Sequence, residues 1–272
     1  MKYNFNAHIF LVGTLAATCI LTGCGNAHSE SSQADPETLY QVALLQSLTL
    51  GDYTGSITVG ELKQFGDTGL GTFDQLDGEM IVLDGVVYQA LSDGTIAIPD
   101  DDVTVPFSTV TFFQEDGSLS LSHVQLDELK QILDQTVQQQ GKNSFYMVKI
   151  EGSFDTIQVR SEYAQQQPYQ PLDQVMETDQ VIFDYTNVNG TIIGLYCPDY
   201  MDKLNTPGWH FHFLSDDHTK GGHILALSMK EGIAFYDQTN QFSMSLPTHT
   251  TFQNLNLNTD LSEAIEKVET NG

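Results

Sequence analysis

Apolar and polar positions change their period several times along this chain, and each change predicts a different element. Tyr40, Leu44, Leu45 and Leu48 recur at helical spacing, so a helix is expected over residues 36–48. Beyond the turn formers Asp52-Tyr53-Thr54-Gly55, residues 58–64 read as a second, short helix. From Gly69 the period becomes two. Strands are expected around Gly71-Thr72-Phe73, over 78–83 and over 86–90, the last two joined by Asp84-Gly85, a dipeptide that tight hairpins favour. Residues 104–113 add a strand, and 127–139 a helix with Leu126, Leu129, Ile132, Leu133 and Val137 on one face. Residues 145–160 return to strand composition, and the Gln- and Pro-rich stretch 161–179 reads as a loop. Further strands are expected at 181–185, 190–196, 233–236 and 242–246, with a last helix at 263–269. This order has no repeat and no regular strand–helix–strand alternation. It predicts an α+β body rich in antiparallel or mixed sheet, built as two packed α/β subdomains.

Between the strands at 190–196 and 233–236 lies the densest chemistry of the chain. In Gly208-Trp209-His210-Phe211-His212-Phe213, strand alternation puts His210 and His212 on one face and the three aromatic side chains on the other. Residues 214–222 are rich in turn formers, and His223-Ile224-Leu225-Ala226-Leu227 resumes an apolar run, so a hairpin would bring His223 back to the pair. Three imidazoles converging on one point form a candidate metal site with an open position, as zinc enzymes use to hold water or substrate. A half-buried strand whose histidines bond only to neighbours is the plainer alternative. The metal site therefore falls on strands of the C-terminal half.

Residues 1–23 read as an export signal: Lys2 precedes a nearly unbroken apolar run over 9–21, too short to span a bilayer comfortably. Leu21-Thr22-Gly23-Cys24 resembles a bacterial lipobox, which implies lipidation of Cys24, a flexible tether over 24–37 and a body anchored at the outer face of the cell membrane. The body, 38–272, is read as an N-terminal part, 38–155, and a metal-binding part, 156–272. Of three cysteines only Cys197 then remains in the body, which leaves no intrachain disulfide, and a buried apolar role suits it. With 36 acidic against 10 basic residues the net charge is −26, so the body does not seek nucleic acid or anionic lipid through bulk electrostatics. Gly-rich nucleotide fingerprints and nucleophile elbows are absent from the sequence. Arg160 is the chain's one arginine, either a bidentate clamp for a carboxylate or oxyanion, or half of an internal ion pair.

Several segments, in order, resemble the bacterial α-acetolactate decarboxylases. They are Leu39-Tyr40-Gln41, Gly51-Asp52-Tyr53-Thr54-Gly55, Gly69-Leu70-Gly71-Thr72-Phe73, Leu76-Asp77-Gly78-Glu79-Met80 and Pro168-Tyr169, then Gly208-Trp209-His210-Phe211-His212-Phe213-Leu214-Ser215-Asp216-Asp217 and Gly221-Gly222-His223. The resemblance runs over about 40–269. It implies a zinc enzyme, a homodimer of two-part subunits, that converts 2-acetolactate to acetoin and carbon dioxide. Carried over, the zinc ligands are His210, His212 and His223, and the active-site residues are Glu79, Arg160, Thr72 and a C-terminal glutamate, Glu269, or Glu266 if the register slips.

The chemistry suits those residues. Loss of carbon dioxide from a 2-hydroxy-3-oxo acid leaves an enediolate, whose charge zinc can absorb and which a buried glutamate can protonate. Glu79 is the expected acid and Arg160 the aligning group. A lipid-anchored protein that captures a metal or solute without catalysis is the alternative, and it needs neither Glu79 nor Arg160.

Overall fold

The computed structural model describes residues 35–270, apart from the side chains of Ser262, Glu266, Glu269 and Thr270. The expected leader, Cys24 and the two candidate C-terminal glutamate side chains thus lie outside the described residues. The strands in chain order are β1 (Thr38–Val42), β2 (Ile57–Thr58), β3 (Thr68–Thr72), β4 (Glu79–Leu83), β5 (Val86–Ala90), β6 (Ile96–Ala97) and β7 (Thr104–Val105). They continue with β8 (Phe107–Thr111), β9 (Gly117–Gln125), β10 (Phe145–Glu162), β11 (Gln180–Cys197), β12 (Gly208–Ser215), β13 (Gly221–Thr239) and β14 (Gln241–Ser245). The helices are α1 (Leu45–Thr49), α2 (Val59–Leu62), α3 (Leu126–Gln140), α4 (Leu172–Thr178), α5 (Thr250–Gln253) and α6 (Ser262–Thr270).

Two sheets carry the fold, as an α+β chain dominated by antiparallel pairing requires. The first has seven strands in the order β14-β1-β8-β3-β4-β5-β6, parallel only between β1 and β14. In the second, β10 pairs with both β11 and β13 while β11, β12 and β13 pair in turn, so the strands close on themselves, with β9 at the edge. The division expected at 155/156 falls inside β10, which runs as one strand over Phe145–Glu162. Leu39, Leu70, Ile81 and Tyr88 of the first sheet pack against Met147, Ile193, Leu195 and Leu214 of the second in one apolar layer. Each such side chain, fully buried, contributes about 1.5–3 kcal/mol. Leu129, Leu133 and Val137 of α3 seal the other side of the second sheet, on the stripe expected from the sequence.

Three local expectations need correction. Residues 36–48 do not form one helix: β1 comes first, Ala43 turns the chain at φ 58°, and α1 begins only at Leu45. Leu39, Tyr40, Gln41 and Val42 are all buried because apolar clusters cover both faces of β1, Leu39 in one and Tyr40 and Val42 in the other, and a strand so covered loses the alternation that would reveal it. Residues 161–179 are not all loop, since α4 buries Leu172, Val175 and Met176 at helical spacing in one short element. The third is the stretch before α3, where no element was expected and β9 forms, with Ser-Leu alternation over 118–121.

Candidate active site and metal centre

The site forms where β4 of the first sheet meets β12 of the second. On β12, His210 and His212 share one face, while Trp209, Phe211 and Phe213 enter the core on the other. Trp209 stacks nearly parallel on Phe211 and its indole N–H donates to Asp134 at 2.9 Å, which fixes which face turns inward. The β12–β13 hairpin sets His212 opposite His223, and β10 sets Arg160 on the far side of His223. Gly222, at φ 141°, lies so close to the Arg160 carbonyl that an added Cβ would sit 2.4 Å from that oxygen, so the chain can approach there only as glycine.

The three imidazoles converge as the alternation and hairpin predicted. His210 Nε2 lies 3.0 Å from His212 Nε2 and 2.9 Å from His223 Nδ1, and one nitrogen from each ring falls within 4.8 Å of the others. His212 donates from Nδ1 to the Met80 carbonyl at 2.8 Å, a bond that leaves the Nε2 lone pair facing the other two rings. Burial pushes His210 down to about 3, with the Arg160 charge adding to the effect, and His223 well below its usual range for the same two reasons. Ring nitrogens whose lone pairs point at one another repel unless something sits between them. A divalent cation satisfies all of them at once, so these residues fit a metal.

Around the trio the acids and the arginine fall into place. Glu79 follows the Gly78 turn at the start of β4, is 7% exposed, and its Oε2 lies 3.3 Å from His212 Nε2. Thr72, paired with Glu79 across β3 and β4, donates its hydroxyl to the Gly78 carbonyl at 2.8 Å and so pins that turn. Arg160 is buried, and its Nη1 donates to the Val268 carbonyl of α6. One group was not singled out from the sequence: Glu162, 1% exposed, with its Oε1 3.3 Å from Arg160 Nε. Burial holds this carboxyl above its usual range, and the Arg160 charge and an interaction with Glu79 counter only part of that rise. Its place two residues beyond the sole arginine on a strand was the available signal, because i and i+2 share a face. Opposite these polar groups the cavity wall is apolar: Leu45, Leu48, Phe107, Leu172, Met176 and Val268, where α1, α4 and α6 meet. Cys197 stands apart, buried in the layer between the sheets.

A sequence profile described as Alpha-acetolactate decarboxylase matches residues 39–259. The chain belongs to the alpha-acetolactate decarboxylase family. An alpha-acetolactate decarboxylase of Methanosarcina mazei is 41% identical to this family member over 86% of this chain and 80% of its own. That of Bacillus subtilis strain 168 is 33% identical over 85% of this chain and 90% of its own. The crystal structure of alpha-acetolactate decarboxylase from Bacillus subtilis strain 168 superimposes with a TM-score of 0.83 at 32% identity, over 86% of this chain and 99% of that one. This chain thus shares the fold of that enzyme.

Proposed function

We propose that this chain decarboxylates 2-acetolactate to acetoin and carbon dioxide with one zinc ion held by His210, His212 and His223. The observation that carries the reading is the convergence of three imidazoles beside a buried Arg160 and two buried carboxyls in one half-apolar cavity. Zinc, when bound there, supplies the Lewis-acid charge that the electrons released with carbon dioxide require. Arg160, which lines the cavity, orients the substrate carboxylate through its guanidinium. Glu79 delivers the proton to the former C2 of the enediolate, from a position set by the Gly78 turn and the Thr72 hydroxyl. The apolar wall from Leu45 to Val268 takes the methyl groups and keeps water from competing as a proton source. Glu269 joins this set on the family resemblance alone.

Capture of a metal or solute without turnover explains the imidazoles but not the burial of Arg160, Glu79 and Glu162 together, which is costly and pointless for metal binding alone. Two measurements test the proposal. Acetoin formation should vanish on chelation and return with zinc, and Glu79→Gln should retain zinc yet lose at least about 10²-fold in kcat. A metal-stripped protein with full activity, or a fully active Glu79→Gln variant, refutes it. The same proposal includes a homodimer, to be checked by light scattering, and export with lipidation at Cys24, to be checked by mass spectrometry of the membrane fraction.

A further inference from the structure

The structure assigns Glu162 a positioning role in this chemistry: it holds the Arg160 guanidinium in one pose and balances its charge, so that the arginine aligns a carboxylate without gripping it. This rests on the proposed decarboxylation. The geometry begins with β10, where residues 160 and 162 point to one face and both line the cavity. Glu162 Oε1 approaches Arg160 Nε at 3.3 Å, and on the other side Arg160 Nη1 donates to the Val268 carbonyl. One hydrogen bond at Nη1 and one ion-pair contact at Nε hold the guanidinium from two sides. Ser161 between them donates to the Ala90 carbonyl at 2.7 Å, which ties this strand end to the first sheet beside Glu79, the cross-strand partner of Ala90.

Stability does not explain the pair. Glu162 and Arg160 are 1% and 2% exposed, and burying two charges costs about as much as their attraction returns, so apolar residues of similar size would serve the fold as well or better. Catalysis does explain it. In a decarboxylation the substrate carboxylate loses its charge as carbon dioxide leaves, so an arginine that binds it at full strength stabilises the ground state more than the transition state. A carboxylate at Nε diverts part of that field. Among the described residues neither Glu162 oxygen has a hydrogen-bonding partner in good geometry, and the ionisable side chains that act on this carboxyl are Arg160 and Glu79.

The test uses the full zinc-loaded protein with Glu162→Gln and Glu162→Asp. Kinetics of acetoin formation, zinc content and crystal structures of both variants are compared with the parent. For Glu162→Gln the expected result is full zinc, kcat down about 10²-fold, KM unchanged or lower, and a guanidinium that has left its present pose. Glu162→Asp, which keeps the charge, should recover part of kcat. Parental kcat in Glu162→Gln, or an unmoved guanidinium in its crystal structure, overturns the assignment. Should Glu162→Gln fail to fold, Glu162→Asp decides: a lowered kcat without a raised KM supports the role, and parental kinetics in the folded fraction overturn it. If the unmodified protein makes no acetoin, the proposed function falls, while the two crystal structures still decide whether Glu162 holds Arg160.

Discussion

Replacing Gly78 by alanine tests how closely the fold must hold Glu79. Gly78 sits at φ 79°, and a Cβ there would lie 2.3 Å from the Ala90 carbonyl oxygen. Alanine in this left-handed region costs about 1–2 kcal/mol in strain. Relief of the contact to the closest distance real Cβ atoms show, 3.0 Å, moves the turn away from β5 by about 0.7 Å, with a further overpacking cost of about 1–3 kcal/mol. The displaced atoms are the ones that matter: Glu79 is the next residue and the cross-strand partner of Ala90, and the Gly78 carbonyl receives the Thr72 hydroxyl. A shift approaching 1 Å at a catalytic group costs about 10²-fold in rate. Gly85 provides the control, since it also has φ 79° but nothing within 4 Å of its would-be Cβ, and it lies in the turn at the far end of β4. Urea unfolding and a colorimetric acetoin assay are run on both variants. Gly85→Ala should lose about 1–2 kcal/mol and keep its kcat, whereas Gly78→Ala should lose about 2–5 kcal/mol and between 10- and 100-fold in kcat with zinc retained. Equal kcat in the two folded variants would refute the claim that this turn positions the proton donor.

Two further outcomes follow from buried groups. Burial pushes the Asp237 carboxyl up to about 7; a hydrogen bond from the Gln114 N–H opposes this, while nearby Asp116, Glu37 and Asp67 reinforce it. The folded chain therefore keeps a proton that the unfolded chain has lost, so this group's contribution is full below about pH 4 and is lost as pH rises through about 7. Asp237→Asn should gain on the parent across that window by up to about 4 kcal/mol in unfolding free energy, and a difference that does not vary with pH counts against it. Zinc should also stabilise the fold, because its ligands come from β12 and β13 and assemble only when the hairpin is formed. A 100-fold excess of zinc over its Kd is expected to add about 2.7 kcal/mol, read as a rise in Tm that a chelator abolishes, and a Tm insensitive to both would exclude binding at the folded hairpin.

Local pattern fixed those parts of the protein whose neighbours in space are neighbours in sequence. The hairpin at Asp84-Gly85, the stripe of α3 and the alternation of Trp209, Phe211 and Phe213 against His210 and His212 all follow from residues within one or two turns or strands. The arrival of His223 needed only a hairpin, and Glu79, Thr72 and Arg160, expected from the family resemblance, do line the same cavity. Tertiary structure decided the rest. β1 reads as helix because its partners β8 and β14 lie about 70 and 200 residues away, and because distant apolar clusters bury Leu39 on one face and Tyr40 and Val42 on the other. Glu162 stays unnoticed among 36 acids until β10 curls toward β4 and sets it between Arg160 and Glu79. Side-chain periodicity is written into the chain by backbone geometry, and so can be read from it. Which distant carboxyl loses its water and meets the lone guanidinium depends on how two sheets pack, and that is a property of the whole fold.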